Sequence, residues 1–335
     1  MKKLISLLLT LAMVFALASV GMSVASADEL KSVKLVAYCP GSGVPYDTLV
    51  KFSELVAEAS NGAIDLEVHE PGTLGNDAEA IESTRMGTID VILAGSSGFT
   101  SFYEPAKVLD LPFLFGSADQ ACEVVNGPVG DEIYAGFPTF GLVYLASGDN
   151  GMRHISTTNR PIHTAADVEG LKIRVPTSQL YLDVWEALGA TPVALALPEL
   201  ALALANGTAE GQDNATYHLV ANATYDNIKY FSYINYMWMG TTIAINSSAW
   251  DRLEPAAQEI LKEQAVAAGR YGFDLIDANN AAGEATLKEA GVEFDAEPDI
   301  QSFKDKLDIP AYYDRYQGET WFDRDLLNAI LEAVG

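Results

Sequence analysis

The chain has 335 residues, 49% hydrophobic and 20% charged, with 27 Gly and 14 Pro, a makeup that sets aside disordered and collagen-like classes. Its length fits two domains or one large one. Twenty Lys and Arg against 46 Asp and Glu give a net charge of −26, which repels phosphate backbones and anionic lipid surfaces, so no nucleic-acid partner is expected.

Met1-Lys2-Lys3 gives a positive start, residues 4–20 an almost unbroken apolar run, and Ala25-Ser26-Ala27 a small-x-small cleavage site before Asp28. Residues 1–27 are therefore expected to be an export signal. The run is shorter than the roughly 20 residues of a membrane span, which argues against a retained anchor. No Cys stands at the cut and no later stretch is apolar enough to cross a bilayer. The mature chain is expected to be a soluble envelope protein with no direct membrane insertion.

Residues 32–39 read as a buried strand. Residues 46–60 read as a helix with Leu49, Phe52 and Val56 on one stripe, stopped by Asn61-Gly62, and 64–69 as a second strand. Asn76, with Glu79 three residues on, predicts a capped helix that Gly87 ends, and 89–94 a third strand. This β-α-β-α-β order predicts a parallel sheet flanked by helices. Past Leu111-Pro112-Phe113-Leu114-Phe115, helical segments run to about Tyr134 and a strand covers 142–146. Gly148-Asp149-Asn150-Gly151 reads as a break in the fold. A second alternating set follows, with strands at 171–175, 191–194 and 209–212 and helices at 180–188 and 197–204. From about 254 to 290 the chain is rich in Ala, Glu and Leu, which predicts one helix on the order of 50 Å long, with Gly269 and Gly272 as the places where it would kink. Cys39 and Cys122 are too few for a disulfide framework and are expected as buried free thiols.

Gly41-Ser42-Gly43 follows the first strand as a dinucleotide-binding turn does, but Tyr46 stands where the third glycine belongs, so no cofactor is expected. Ala94-Gly95-Ser96-Ser97-Gly98 offers the reading of an exported α/β hydrolase, with Ser96 as nucleophile and His154, His163 or His218 as base. No helical stripe follows Ser96 to carry oxyanion donors; the plainer reading is a loop at the carboxyl end of a strand, where α/β folds bind ligands. The histidines lack metal spacing and the acids form no calcium loop, so no metal site is expected. Arg174 lies inside an apolar strand, where a guanidinium costs several kcal/mol unless a carboxylate meets it. That carboxylate belongs either to this chain or to a ligand, and Arg153 poses the same question.

Asn150-Gly151-Met152-Arg153, Thr158-Asn159-Arg160-Pro161-Ile162, Gly170-Leu171-Lys172-Ile173-Arg174-Val175-Pro176, Gly189-Ala190-Thr191-Pro192 and Gly211-Gln212-Asp213-Asn214 carry a family resemblance, joined by the 111–115 segment and the late long helix. The mature chain resembles the solute-binding proteins of tripartite ATP-independent periplasmic (TRAP) transporters, dicarboxylate-binding type. The resemblance implies a periplasmic, non-enzymatic α/β protein of two lobes, each a sheet flanked by helices, with the long helix spanning both. Lobe I would comprise 28–150 plus 240–279, and lobe II 151–239 plus 280–335. The implied partners are a small organic carboxylate and the membrane subunits of a TRAP transporter. By the same resemblance Arg174 pairs with the substrate carboxylate, Asn214 binds it too and Arg153 assists. Tyr217, Tyr236 and Trp238 stand where relatives line the cleft, and Ser96 and Phe99 belong to the neighbouring loop. Gly95 and Gly98 replace charged contacts of some relatives, Leu197 a frequent aromatic, and Ala215 a usual proline, which points to a smaller or more apolar carboxylate than a sugar acid.

Overall fold

A computed structural model describes residues 30–335, so the expected export signal lies outside the described residues. The opening units follow the predicted pattern: strand β1 (Val33–Tyr38), helix α1 (Val44–Ala59), β2 (Ile64–His69), α2 (Asp77–Arg85) and β3 (Val91–Gly95). Helix α1 buries Leu49, Phe52 and Val56. At α2 the Asn76 carbonyl oxygen accepts from the Glu79 amide at 3.1 Å and the Glu79 carboxylate accepts from the Asn76 amide at 2.9 Å, a reciprocal cap that fixes where the helix starts. A single turn, α3 (Ser96–Phe99), follows β3 directly. Then come α4 (Ala118–Val125), α5 (Pro128–Ile133) and β4 (Leu142–Thr157).

The second half repeats the alternation with β5 (Lys172–Val175), α6 (Gln179–Ala187), β6 (Thr191–Ala194), α7 (Leu200–Ala205), β7 (Gly211–Asn214) and α8 (Thr216–Ala221). It continues through β8 (Tyr230–Asn246), α9 (Ser247–Asp251), the long α10 (Pro255–Glu289) and β9 (Glu293–Asp295). Helices α11 (Ile300–Leu307), α12 (Ile309–Asp314) and α13 (Arg324–Val334) close the chain.

Strand β1 pairs in parallel with β2 and β3, and β5 in parallel with β6 and β7, as two α/β lobes require. The two sets are nonetheless halves of a single nine-stranded sheet, in the order β2-β1-β3-β8-β4-β7-β5-β6 with β9 beside β8. The 16-residue β4 and 17-residue β8 run antiparallel through both halves. The 148–151 segment, read from sequence as a break, thus lies inside β4. Its irregularity survives as register shifts between Asp149 and Met152 and between Arg153 and Ile155, with Gly151 at a φ of 95°. A bulge bends a strand without ending it when the neighbouring strand keeps supplying hydrogen bonds.

One apolar core is continuous across both halves, from Ile92, Tyr134 and Phe137 through Ile173, Trp185 and Tyr236 to Tyr313 and Leu327. A second joins α1 and α10 to β1, and a third gathers Leu204, Leu219 and Leu287. Helix α10 is unbroken over 35 residues. Its glycines serve close packing: a Cβ on Gly269 would stand 2.4 Å from the Ser147 carbonyl, one on Gly272 2.7 Å from Thr48 Oγ1, and one on Gly283 2.9 Å from the Tyr217 amide. Helix α10 therefore meets β4 and α1 at its middle and α8 nearer its C-terminal end. Among the described residues no helix is long and apolar enough to cross a membrane, and Cys39 and Cys122 are buried free thiols.

Candidate functional site

A cleft of about 620 Å³ opens between the halves. The 39–45 turn and the end of β3 form one wall, Leu197 and α8 the other, and α10 from Asn279 to Thr286 the floor. Asp47, Asp77, Ser97, Asn150, Tyr217 and Thr241 give it a polar lining without a Lys or Arg. Burial raises the Asp77 carboxyl above its ordinary value.

All eight residues singled out from sequence are buried, but of these only Tyr217 lines that cleft. Its hydroxyl donates to the Asn150 side chain, and its ring packs on His218 with centroids 4.0 Å apart. Arg174 lies behind that same wall, on the Leu197 side. Its Nε and Nη2 both donate to the Leu195 carbonyl, at 3.0 and 2.8 Å, two residues before Leu197 in the cleft wall. Arg174 is 3% exposed, and among the described residues it forms no salt bridge and its Nη1 makes no hydrogen bond. Burial, then repulsion by Arg153, lowers its pKa to about 10, so it stays charged at neutral pH. A guanidinium in this state is pre-aimed yet uncompensated.

Arg153 is in the opposite condition. Its Nε and Nη2 each donate to the Asp213 carboxylate at 3.0 Å, Nη2 also donates to the Asp213 carbonyl at 2.8 Å, and the guanidinium lies 4.8 Å from the Tyr181 ring centre. Burial works against its charge, but Asp213, Tyr181 and Tyr236 outweigh it and hold its pKa above the ordinary arginine value. Asp213 also accepts from the Tyr236 hydroxyl and from Trp185 Nε1 at 3.4 Å. Strand register brings these groups together, since β7 pairs both with β4, where Asn214 lies opposite His154, and with β5, where Gln212 lies beside Arg174. Asn214 donates to Gln212 Oε1 at 3.3 Å.

Trp238 donates from Nε1 to Asp149 Oδ1 at 2.7 Å and stacks near-parallel on Phe273. Phe99 packs on Phe137. Ser96 does begin a helical turn, but its hydroxyl is 3.1 Å from Thr242 Oγ1, in a chain of hydroxyls that ends at Tyr134. None of the histidines reaches it: His154 accepts from the Asn235 amide, His163 pairs with Asp295 and His218 faces the Asn150 carbonyl. The serine lacks a base, so the hydrolase reading has no support. Among the described residues no three His, Cys, Asp or Glu gather as a metal site.

Sequence reasoning assigned no role to Asp213, Asp149 or Asp110. Of these only Asp110, inside the apolar run Val108 to Phe115, carried the signal that drew attention to Arg174; Asp149 and Asp213 stand among Gly, Asn and Gln and carried none.

The pattern of the family described as bacterial extracellular solute-binding protein, family 7, matches residues 38–318. The 2,3-diketo-L-gulonate-binding periplasmic protein of Escherichia coli K12 is 31% identical over 257 residues, covering 77% of this chain and 78% of that one. An uncharacterised protein of Sinorhizobium fredii is 38% identical over 204 residues, but the match spans only 38% of its length. A TRAP periplasmic solute-binding protein from Roseobacter denitrificans, solved with bound β-D-glucuronate, superimposes with a TM-score of 0.79 at 27% identity, covering 89% of this chain and 99% of that one.

Proposed function

The chain belongs to the bacterial extracellular solute-binding proteins of family 7, the periplasmic binding proteins of TRAP transporters, and on that premise we propose that Arg174 is its receptor for a ligand carboxylate. The observation that carries this reading is the buried guanidinium of Arg174 with no acid of its own chain bound to it. Asp213, an acid whose field bears on it, is engaged by Arg153. A buried unpaired cation costs several kcal/mol, and an entering carboxylate removes that cost. The Leu195 carbonyl fixes the plane of the fork, leaving Nη1 and the second Nη2 proton to receive two carboxylate oxygens.

Asn214 adds a neutral donor, and Arg153 assists through its charge while its hydrogen bonds stay with Asp213. Charge-assisted bonds contribute about 1.5–3 kcal/mol each, so two from Arg174 and one from Asn214 give about 5–9 kcal/mol gross. Micromolar binding needs about 8 kcal/mol net, after an association cost of about 4 kcal/mol or more. The remainder has to come from the cleft. Its lining favours a hydroxylated monocarboxylate: hydroxyls can donate to Asp47 and Asp77, whereas a second carboxylate would face them with no cation nearby. That replaces the expectation of a more apolar acid with one closer to the diketogulonate and glucuronate of the relatives.

Lobe I (28–150 plus 240–279) and lobe II (151–239 plus 280–335) would close about the bulged part of β4, its partner in β8 and α10, and the closed form would be what the transporter's membrane subunits recognise. A thermal-shift screen of aldonates, uronates and C4-dicarboxylates tests the proposal. Ligand at about 100 times its Kd adds about 2.7 kcal/mol, a rise of several degrees. A sugar acid is expected to give that rise in the wild type and none in Arg174→Ala. A shift that survives the substitution, or no shift with any carboxylate, overturns the reading.

A further inference from the structure

His218 stands on α8 and lines the cleft beside Asn150 and Tyr217. Its Nε2 lies 3.3 Å from the Asn150 carbonyl oxygen, which can only accept, so Nε2 is the nitrogen that carries the proton. Burial, then the charge of Arg153, lowers the pKa of the ring to about 3, and the ring is neutral at neutral pH. A neutral imidazole protonated at Nε2 has a bare lone pair at Nδ1. Among the described residues no donor meets that lone pair, and Nδ1 is not sealed from solvent.

The bulge of β4 holds this tautomer in place. The Asn150 amide donates to Asp149 Oδ1 at 2.9 Å and the Asn150 side-chain oxygen accepts from the Tyr217 hydroxyl, so the carbonyl that faces His218 is fixed in direction. The Tyr217 ring packs on the imidazole with centroids 4.0 Å apart. Asn150 Nδ2, in turn, makes no hydrogen bond among the described residues and is not sealed from solvent. Two residues in direct contact thereby offer the cleft one open acceptor and one open donor. A hydroxyl can satisfy groups of either kind, whereas a carboxylate only accepts and would meet a lone pair at Nδ1.

We propose that His218 is a specificity-determining residue of the cleft, its Nδ1 accepting a hydrogen bond from a hydroxyl group of the bound acid. The proposal rests on the cleft being the seat of a hydroxylated carboxylate, and it gives one hydroxyl a partner on the α8 wall, apart from Asp47 and Asp77. The bond adds no charge to the site. It therefore selects for a hydroxyl group at that point of the ligand and leaves capture of the carboxylate to Arg174.

A ¹⁵N spectrum of the wild-type His218 ring needs no variant. In the empty mature protein at neutral pH, Nδ1 should resonate as an unprotonated nitrogen and Nε2 as a protonated one. Saturation with D-galactonate or D-glucuronate should move the Nδ1 signal towards the protonated range, as a lone pair that accepts a hydrogen bond does, while Nε2 keeps its proton. Calorimetric titration with monodeoxy forms of the two acids identifies the hydroxyl. Wild type should bind the analogue that lacks it about 2- to 10-fold more weakly than the parent acid, the worth of one neutral hydrogen bond. His218→Phe should bind that analogue and the parent acid equally. A proton on Nδ1 in the empty protein, an Nδ1 signal unmoved by either acid, or the same loss for every monodeoxy analogue in both proteins overturns the inference and leaves the Arg174 reading standing. Failure of both acids to bind wild type, or undiminished binding by Arg174→Ala, defeats the carboxylate reading and this inference with it.

Discussion

Replacing Arg174 and Arg153 by methionine, one at a time, separates a cation kept for a ligand from one kept for the fold. In Arg174→Met the lost interactions are two hydrogen bonds to one carbonyl, that of Leu195, while a buried cation without a counter-ion disappears. Leaving a carbonyl unsatisfied costs about 1–3 kcal/mol, and removing an unpaired buried charge returns a similar amount. The unfolding midpoint of the ligand-free protein should therefore stay within about 3 °C of wild type. Sugar-acid binding should fall by about 10²- to 10⁴-fold, the equivalent of two charge-assisted bonds at about 1.5–3 kcal/mol each. In Arg153→Met, Asp213 is stranded at 0% exposure with only the Tyr236 hydroxyl and the Trp185 indole as side-chain donors. Breaking one side of a buried pair costs about 3–5 kcal/mol, and at about 2–4 °C per kcal/mol the midpoint should drop by on the order of 10 °C. Differential scanning fluorimetry without ligand reads the first quantity and calorimetric titration the second. Equal midpoint losses in the two variants would falsify the distinction and make Arg174 a structural group.

Gly283→Ala would bring a Cβ to 2.9 Å from the Tyr217 amide, so α8 has to move off α10. A midpoint lowered by several degrees and sugar-acid affinity weakened about tenfold are expected, and an unchanged protein would show that this contact yields freely. Burial lowers the pKa of His154 to about 3. The unfolded chain binds its proton near the ordinary 6.5, so stability is lost as pH falls from 6.5 towards 3, at about 1.4 kcal/mol per pH unit. Urea midpoints between pH 4 and 7 should show a shallower acid decline in His154→Gln than in wild type, and parallel declines would exclude His154 as a source. Ser96→Ala should cost about 1 kcal/mol through the hydroxyl chain to Thr242 and Tyr134, with no p-nitrophenyl acetate turnover in either protein. Turnover that vanished with the serine would reinstate the hydrolase.

Much of the fold was written in local patterns. The Leu49-Phe52-Val56 stripe, the Asn76 and Glu79 cap and the Ala-rich run of α10 each state their element within a few residues, because helix periodicity and capping depend on near neighbours alone. Arg174 was conspicuous for the same reason, as a cation in an apolar strand. What answered it was not visible. Both arginines sit amid apolar neighbours in sequence, yet Asp213 lies 60 residues beyond Arg153 and reaches it only because β7 pairs with β4. The 148–151 segment has the composition of a linker, and only the hydrogen bonds offered by β8 carry β4 through it. Gly269, Gly272 and Gly283 carry no local sign of whether they bend a helix or admit a neighbour, since that depends on which backbone arrives there. Sequence by itself settled which residues prefer helix or strand and which charges would be expensive to bury. Tertiary structure alone decided which of those charges found a counter-ion, because pairing is a matter of distance in space and the chain does not encode that distance locally.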